Sequence, residues 1–349
     1  MLSTHTTLIV ITFTATAVLY RLRRLKLLQS TTATKASKTP LRSLAQEAVP
    51  LRLRTEFYFD LDSAIDRGCE HARYLREARD IGAALDGLHE HVLETLRAHA
   101  SAMPTDKTKS KQVLVNSRST DTGGCVGLII GRLDVYVGKG AVFMPERLIG
   151  SASDDPARVP LLMMGDGACV QGGTFDVSAG DIWLGAGASV EPGALIRGPC
   201  ILGAECSLRR GAYIRGDVLL GNGSIVGCEM KHAIALDGAE LPHHGYVGDS
   251  LLGYRAHFGC GAVTANFPLF PTSLPSVDIE GVRYDLGRRK FGAVVGDRSQ
   301  LGCQSVTEPG CLLGPDTHTY PHSRLPRGIY GPGELLKNRP CIEVAPLVS

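Results

Sequence analysis

Residues 241–250 read LPHHGYVGDS and place two adjacent histidines, a tyrosine and a Gly-Asp pair in one short stretch. An imidazole with its ordinary pKa near 6.5 can take the proton that an amine loses on attacking a thioester. Cations close by would hold an anionic substrate such as a sugar phosphate by charge-assisted hydrogen bonds. Arg215, Lys231 and Tyr246 lie near the histidines in the chain, and Lys290 follows a long Pro-containing stretch. A histidine on a turn is also an ordinary surface residue, so the scaffold that carries these side chains decides between the two readings.

That scaffold is legible as a period of six. Leu184, Val190, Ile196, Leu202, Leu208, Ile214, Leu220 and Val226 stand six residues apart, and the residue after each is Gly, Glu or Arg. Four positions beyond each large aliphatic come Ala188, Ala194, Cys200, Cys206, Ala212, Val218, Ser224 and Met230, most of them small. Neither a helix nor an alternating strand has this period. Six residues make one short strand and one turn, a unit that must stack on copies of itself to bury its apolar face. Three such units close a triangular coil of about 18 residues. The fold predicted is mainly β: a left-handed parallel β-helix of hexapeptide repeats over 181–330, preceded by an α-helical segment. The pattern breaks at 231–246 and again at 266–290. The second break, with a loop at 267–290, is too long for a turn and is expected to project from a coil corner, where long excursions commonly serve a site.

The rest of the chain divides by composition. Residues 1–46 carry seven Lys or Arg and no acid. Their apolar run TLIVITFTATAVLY (7–20) is followed at once by RLRRLK. This reads either as a membrane anchor that keeps the main domain cytosolic or as an organellar transit peptide, with a disordered tail behind it. Residues 47–112 read as a helical segment and linker, with Asp60 or Asp62 as a cap and an amphipathic pattern that would let the helices pair within an oligomer. Residues 113–180 read as a β-rich lead-in and 331–349 as a tail. A net charge of +2 and few aromatics give no nucleic-acid footprint. The ten cysteines show no CxxC pair, and several occupy small core positions of the repeat, so they read as reduced core thiols.

Residues 227–267, GCEMKHAIALDGAELPHHGYVGDSLLGYRAHFGCGAVTANF, make the site specific. Glu229-Met230-Lys231 is followed twelve residues after the lysine by His243, in His243-x-x-Tyr246-x-Gly248-Asp249, and then by Gly259-Cys260-Gly261 and Thr264-Ala265-Asn266. This resembles the acetyltransferase half of the bifunctional bacterial and archaeal enzymes that make UDP-N-acetylglucosamine. The resemblance covers roughly 181–315 and selects His243, not His244, as the catalytic base. It implies that Arg215, Lys231, Tyr246 and Lys290 bind the sugar phosphate or sugar nucleotide, that His257 contacts the sugar, and that Asn266 lies near the acetyl group. It further implies acetyl-CoA as acyl donor, met by Cys260 and Cys303, in a groove between subunits of a homotrimer.

Departures accompany the match. His257 replaces a usual Asn, Cys260 replaces a usual Ala, the 267–286 loop is longer, and nothing in residues 1–150 resembles the Gly-rich loop of the family's nucleotidyltransferase domain. The spacings of His232, His243, His244 and His257 do not match the zinc pattern of the γ-class carbonic anhydrases, so no metal is expected. The activity expected is acetyl transfer to the amine of an amino sugar phosphate or sugar nucleotide. The alternative is a non-catalytic oligomerisation or regulatory module that partners a sugar nucleotidyltransferase.

Overall fold

A computed structural model of the chain describes residues 38–103, 110–113, 128–152, 159–270 and 274–339. The apolar run at 7–20 and its basic flank lie outside the described residues.

The repeat builds a parallel β-solenoid with three faces. On the first face, short strands run from Leu128–Ile130 to Arg324–Leu325; on the second, from Leu133–Val137 to Gly328–Tyr330. The third is a ten-stranded sheet from Val142–Phe143 to Leu335–Leu336. Register follows the predicted 18-residue coil. Leu184 pairs with Leu202 and Leu202 with Leu220 on the second face. Val190, Leu208 and Val226 align on the third, and Ile196, Ile214 and Met230 on the first. All of these side chains are buried in one continuous core, with the small residues Ala188, Ala194, Cys200, Cys206 and Ala212 filling the corners.

The apparent break at 231–246 is a complete coil. One strand, Glu229–Ala235, bends through the corner between the first and second faces, and the next, Tyr246–Leu252, does the same. The bend is made by His232 (φ 49°) and Asp249 (φ 47°) in the left-handed region, which Asp and His enter more readily than most residues. The inward positions therefore fall at Met230 and Ala235, then Val247 and Leu252, five residues apart instead of six. The coil persists while the count slips.

The stretch 113–180, read as a lead-in, supplies the first coils from Leu128 onward. Its inward residues Met164, Val170 and Phe175, and the step on to Leu184, are spaced unevenly because one corner is long, which hides the six-residue pattern there. The chain leaves the first face after Val263–Thr264, forms an antiparallel hairpin from Ser276–Ile279 and Val282–Asp285, and rejoins the second face at Ala293–Val295. Lys38–Pro40 adds a parallel strand to that hairpin.

Among the described residues of the segment 47–112, read as helical, α-helix is confined to four elements: α1 (Leu61–Asp66), α2 (Ala72–Glu77), α3 (Ile81–Asp86) and α4 (Leu88–Ala102). Residues 41–57 instead form short 3-10 turns. Asp60 caps α1 by accepting from Ser63 N, and Asp80 caps α3 by accepting from Gly82 N and Ala83 N. The amphipathic face does not wait for another subunit. Ile81, Leu85, Leu88, Val92 and Leu96 pack on Met163, Ile201, Leu219, Ile234, Leu251, Val294 and Leu312, the outward middle residues of the second face. A parallel sheet covered on both sides in this way reads as continuous apolar strands.

Inside the helical layer, His71 is buried with Nδ1 3.4 Å from His91 Nε2. Burial pulls its pKa from 6.5 down to about 3. The unfolded chain therefore binds a proton that the folded chain refuses, and stability falls as pH drops from about 6.5 towards 3. By about pH 4.5 the loss from this one group should be ~2–3 kcal/mol. Thermal melts followed by helical circular dichroism should show this decline, and His71→Gln should flatten it; equal slopes in both chains would refute the assignment.

Candidate active site

The first face gathers a strip of polar side chains over four successive coils. Arg215 Nη1 lies 2.5 Å from Glu229 Oε1, and this carboxylate raises the guanidinium's pKa further. Glu229 stands directly beside Tyr246, and Lys231 beside Gly248, in the strand register. The absence of a side chain at Gly248 leaves room for the Tyr246 hydroxyl, which accepts a 3.1 Å hydrogen bond from Asn266 Nδ2. Burial raises the Tyr246 pKa and the Asn266 bond partly offsets it. The structure thus brings Arg215, Lys231, Tyr246 and Asn266 onto one surface.

Behind the strip is a buried charge. Asp249 Oδ2 accepts from Asn266 Nδ2 at 2.6 Å, and Asp249 Oδ1 lies 3.3 Å from Arg288 Nη2 and 3.5 Å from His232 Nδ1. Burial, then the Arg288 charge, lowers the His232 pKa. His232 and Asp249 face each other because they make the same tight corner in consecutive coils.

His243 occupies a different corner, where the third face turns into the first. Tyr246 aligns with Val263 and Val263 with Val306, so the residues three positions earlier, His243, Cys260 and Cys303, hold equivalent places in successive coils. His243 and Cys303 are exposed and Cys260 is half-buried. Neighbouring His244 has its ring Nδ1 3.6 Å from Cys260 Sγ, and its carbonyl accepts from Gly261 N at 2.8 Å. These thiols differ from Cys200, Cys206, Cys228 and Cys311, which are buried in the core; burial pushes Cys206 and Cys228 up to about 12. Among the described residues, His243 has no side-chain hydrogen-bond partner, and no group of three metal-binding side chains is present.

Two residues sit apart from the strip. His257 lies on the third face, across the corner, with Nδ1 3.2 Å from Glu240 Oε2. Lys290 is exposed where the excursion returns. A 2.9 Å bond from Phe291 N to Asn266 O closes the excursion and brings Lys290 back beside the strip. Among the described residues neither Lys231 nor Lys290 forms an ion pair. Glu229 opens the motif without a site role of its own in the sequence, and Arg288 stands in no motif. Glu229 was within reach, since its offset of two from Lys231 puts both on one side of a strand. Arg288 had no such signal, because its partners are remote in the chain.

A methyl group on Gly248 would stand 2.3 Å from the Tyr246 hydroxyl and 2.7 Å from Asn266 Nδ2. Both are side-chain tips that can swing away, so Gly248→Ala should disorganise the strip without unfolding the coil. Melting should move by no more than about 3 °C, while the Asn266 side-chain amide resonance shifts. An unmoved resonance would mean that the contact does not form.

No protein-family model matches the chain. A bifunctional sugar-1-phosphate nucleotidylyltransferase/acetyltransferase of Sulfurisphaera tokodaii is 34% identical over 109 residues, 31% of this chain and 27% of that protein. The bifunctional protein GlmU of Methanococcus vannielii is 38% identical over 86 residues, 25% of this chain and 20% of that one. The alignments therefore span only about a fifth to a quarter of the length of these two relatives. The uncharacterized acetyltransferase YaiX of an Escherichia coli strain is 36% identical over 162 residues, 45% of this chain and 70% of that protein. With that much of a single-named acetyltransferase matched, and with stacked six-residue units closing into a parallel solenoid, the chain belongs to the hexapeptide-repeat acetyltransferases.

Proposed function

We propose that the protein transfers an acetyl group from acetyl-CoA to the amine of an amino sugar phosphate or sugar nucleotide, with His243 as general base. One observation carries this reading. Lys231 on the strip and Lys290 beside it, neither in an ion pair among the described residues, adjoin an exposed corner on which His243, Cys260 and Cys303 line up along the solenoid axis. An anion held by the lysines and a thioester lying along the corner would meet at His243. The amine nitrogen bonds to the thioester carbonyl carbon, the carbon–sulfur bond breaks, the amine's proton passes to His243, and coenzyme A leaves and is protonated. Positioning by a rigid coil supplies much of the acceleration, and the base contributes about 10²–10⁴-fold.

In this assignment Lys231 and Lys290 take most of the phosphate charge, because Arg215 is already neutralised in part by Glu229. Tyr246 positions the sugar, Asn266 lies by the acyl group, and His257 reaches the sugar from across the corner. Cys260 and Cys303 line the donor's path. The resemblance to the bifunctional enzymes further implies a homotrimer, with the donor in the groove between adjacent subunits.

Thiol release from acetyl-CoA with glucosamine 1-phosphate, measured on the full chain, tests the reading. His243→Ala should lower kcat by at least about 10²-fold with the oligomer and melting temperature unchanged. Equal low rates in the two proteins would remove His243 from the mechanism. No turnover over a panel of amino sugars would favour the binding-module alternative. Transfer is direct in this reading, so Cys260→Ala should keep most of the turnover; an acylated Cys260 found by mass spectrometry would replace it with a two-step mechanism.

A further inference from the structure

We infer that the helical layer is part of the acceptor site, because Asp86 acts through Arg288 to position Lys290 and Asp249. This rests on the preceding reading of Lys290 as a phosphate ligand. Asp86 is the last residue of α3, on an element that packs against the second face of the solenoid. It forms ion pairs with Arg42 and with Arg288. Arg288 is only 14% exposed at its side chain and divides its donors three ways. One nitrogen goes to Asp86, Nη2 lies 3.3 Å from Asp249 Oδ1, and Nε donates to the Lys290 carbonyl at 3.2 Å. Asp249 in turn accepts from Asn266, which donates to the Tyr246 hydroxyl. A continuous polar chain therefore runs from a helix terminus to the substrate strip.

The planar guanidinium suits this role, since its five donors lie in a fixed fork and can define the relative placement of three partners. The link is not what attaches the excursion to the solenoid. Val277 and Leu286 are buried in the apolar layer beneath the helices, Leu286 N donates to Pro275 O at 3.0 Å, and Gly287 N donates to Asp285 Oδ1 at 2.8 Å. Those contacts hold the hairpin. The Arg288 bonds act further along, on the backbone that presents Lys290. Asp86 and Arg288 are thus positioning residues: neither is placed against the substrate, and their effect is on acceptor affinity.

The test uses the full chain with glucosamine 1-phosphate as probe, its Kd read by calorimetry and its KM and kcat by thiol release. Asp86→Asn should raise both Kd and KM by about 5- to 20-fold, the scale of one lost charge-assisted hydrogen bond. The kcat, the KM for acetyl-CoA and the melting temperature should stay near wild type. Amide hydrogen exchange in 287–291 should quicken in the variant, and Asp86→Glu should restore affinity. Because the effect passes through Lys290, adding Asp86→Asn to Lys290→Gln should weaken binding little beyond Lys290→Gln alone. Wild-type affinity in Asp86→Asn, or full additivity with Lys290→Gln, overturns the inference. A wild-type chain that binds the probe without turning it over sinks the transferase reading while the affinities still decide the bridge. One that neither binds nor turns over sinks both.

Discussion

Strands of two or three residues cannot hide their apolar side chains by themselves, and everything in this structure depends on how that exposure is relieved. Each inward Leu, Ile or Val stacks on its counterparts one coil above and below, as Leu202 does on Leu184 and Leu220, inside the core shared by all three faces. Burial of each such side chain is worth about 1.5–3 kcal/mol, and it is realised only when the backbone returns to register every turn. The corners are the price of that closure, and they are where the chemistry collects. Glycine serves many of them, and at the corner between the first and second faces His232 and Asp249 enter the left-handed region with ring and carboxylate facing each other.

A solenoid also converts sequence distance into axial distance. Arg215, Glu229, Lys231 and Tyr246 are spread along the chain yet stand on adjoining rungs, because each coil advances by one strand spacing. The same rule aligns His243 with Cys260 and Cys303 on a neighbouring corner. Side chains on rungs cannot drift apart without breaking the ladder, so the site is organised in advance of any ligand. Only Lys290 lacks that guarantee. It arrives on a chain returning from a long excursion, and the backbone bond from Phe291 to Asn266 and the Arg288 fork are what hold it in place.

The helical layer answers a second exposure problem. On the second face the middle residue of each strand points outward and is apolar, from Met163 to Leu312, which would leave a long hydrophobic wall in water. Helices α1 to α4 cover it. In doing so they place His89 on Asp217 at 2.6 Å and Asp86 on Arg288, so the layer touches the solenoid at the very corner that backs the site.

The six-residue period and the 18-residue coil were legible in the sequence, since each follows from local spacing that one rung imposes on the next. The coils at 128–177 were not, because uneven corners erase the period while leaving the ladder intact. Nor was the coil across 231–246, where one left-handed residue shortens the corner and shifts the count. Only the tertiary structure decided that the amphipathic helices cover their own solenoid, that Glu229 pairs with Arg215, that His257 lies on the third face beside Glu240, and that Asp86 reaches Asp249 through Arg288. These are contacts between segments far apart in the chain. No periodicity links such segments, and packing alone selects which of many charged residues meet.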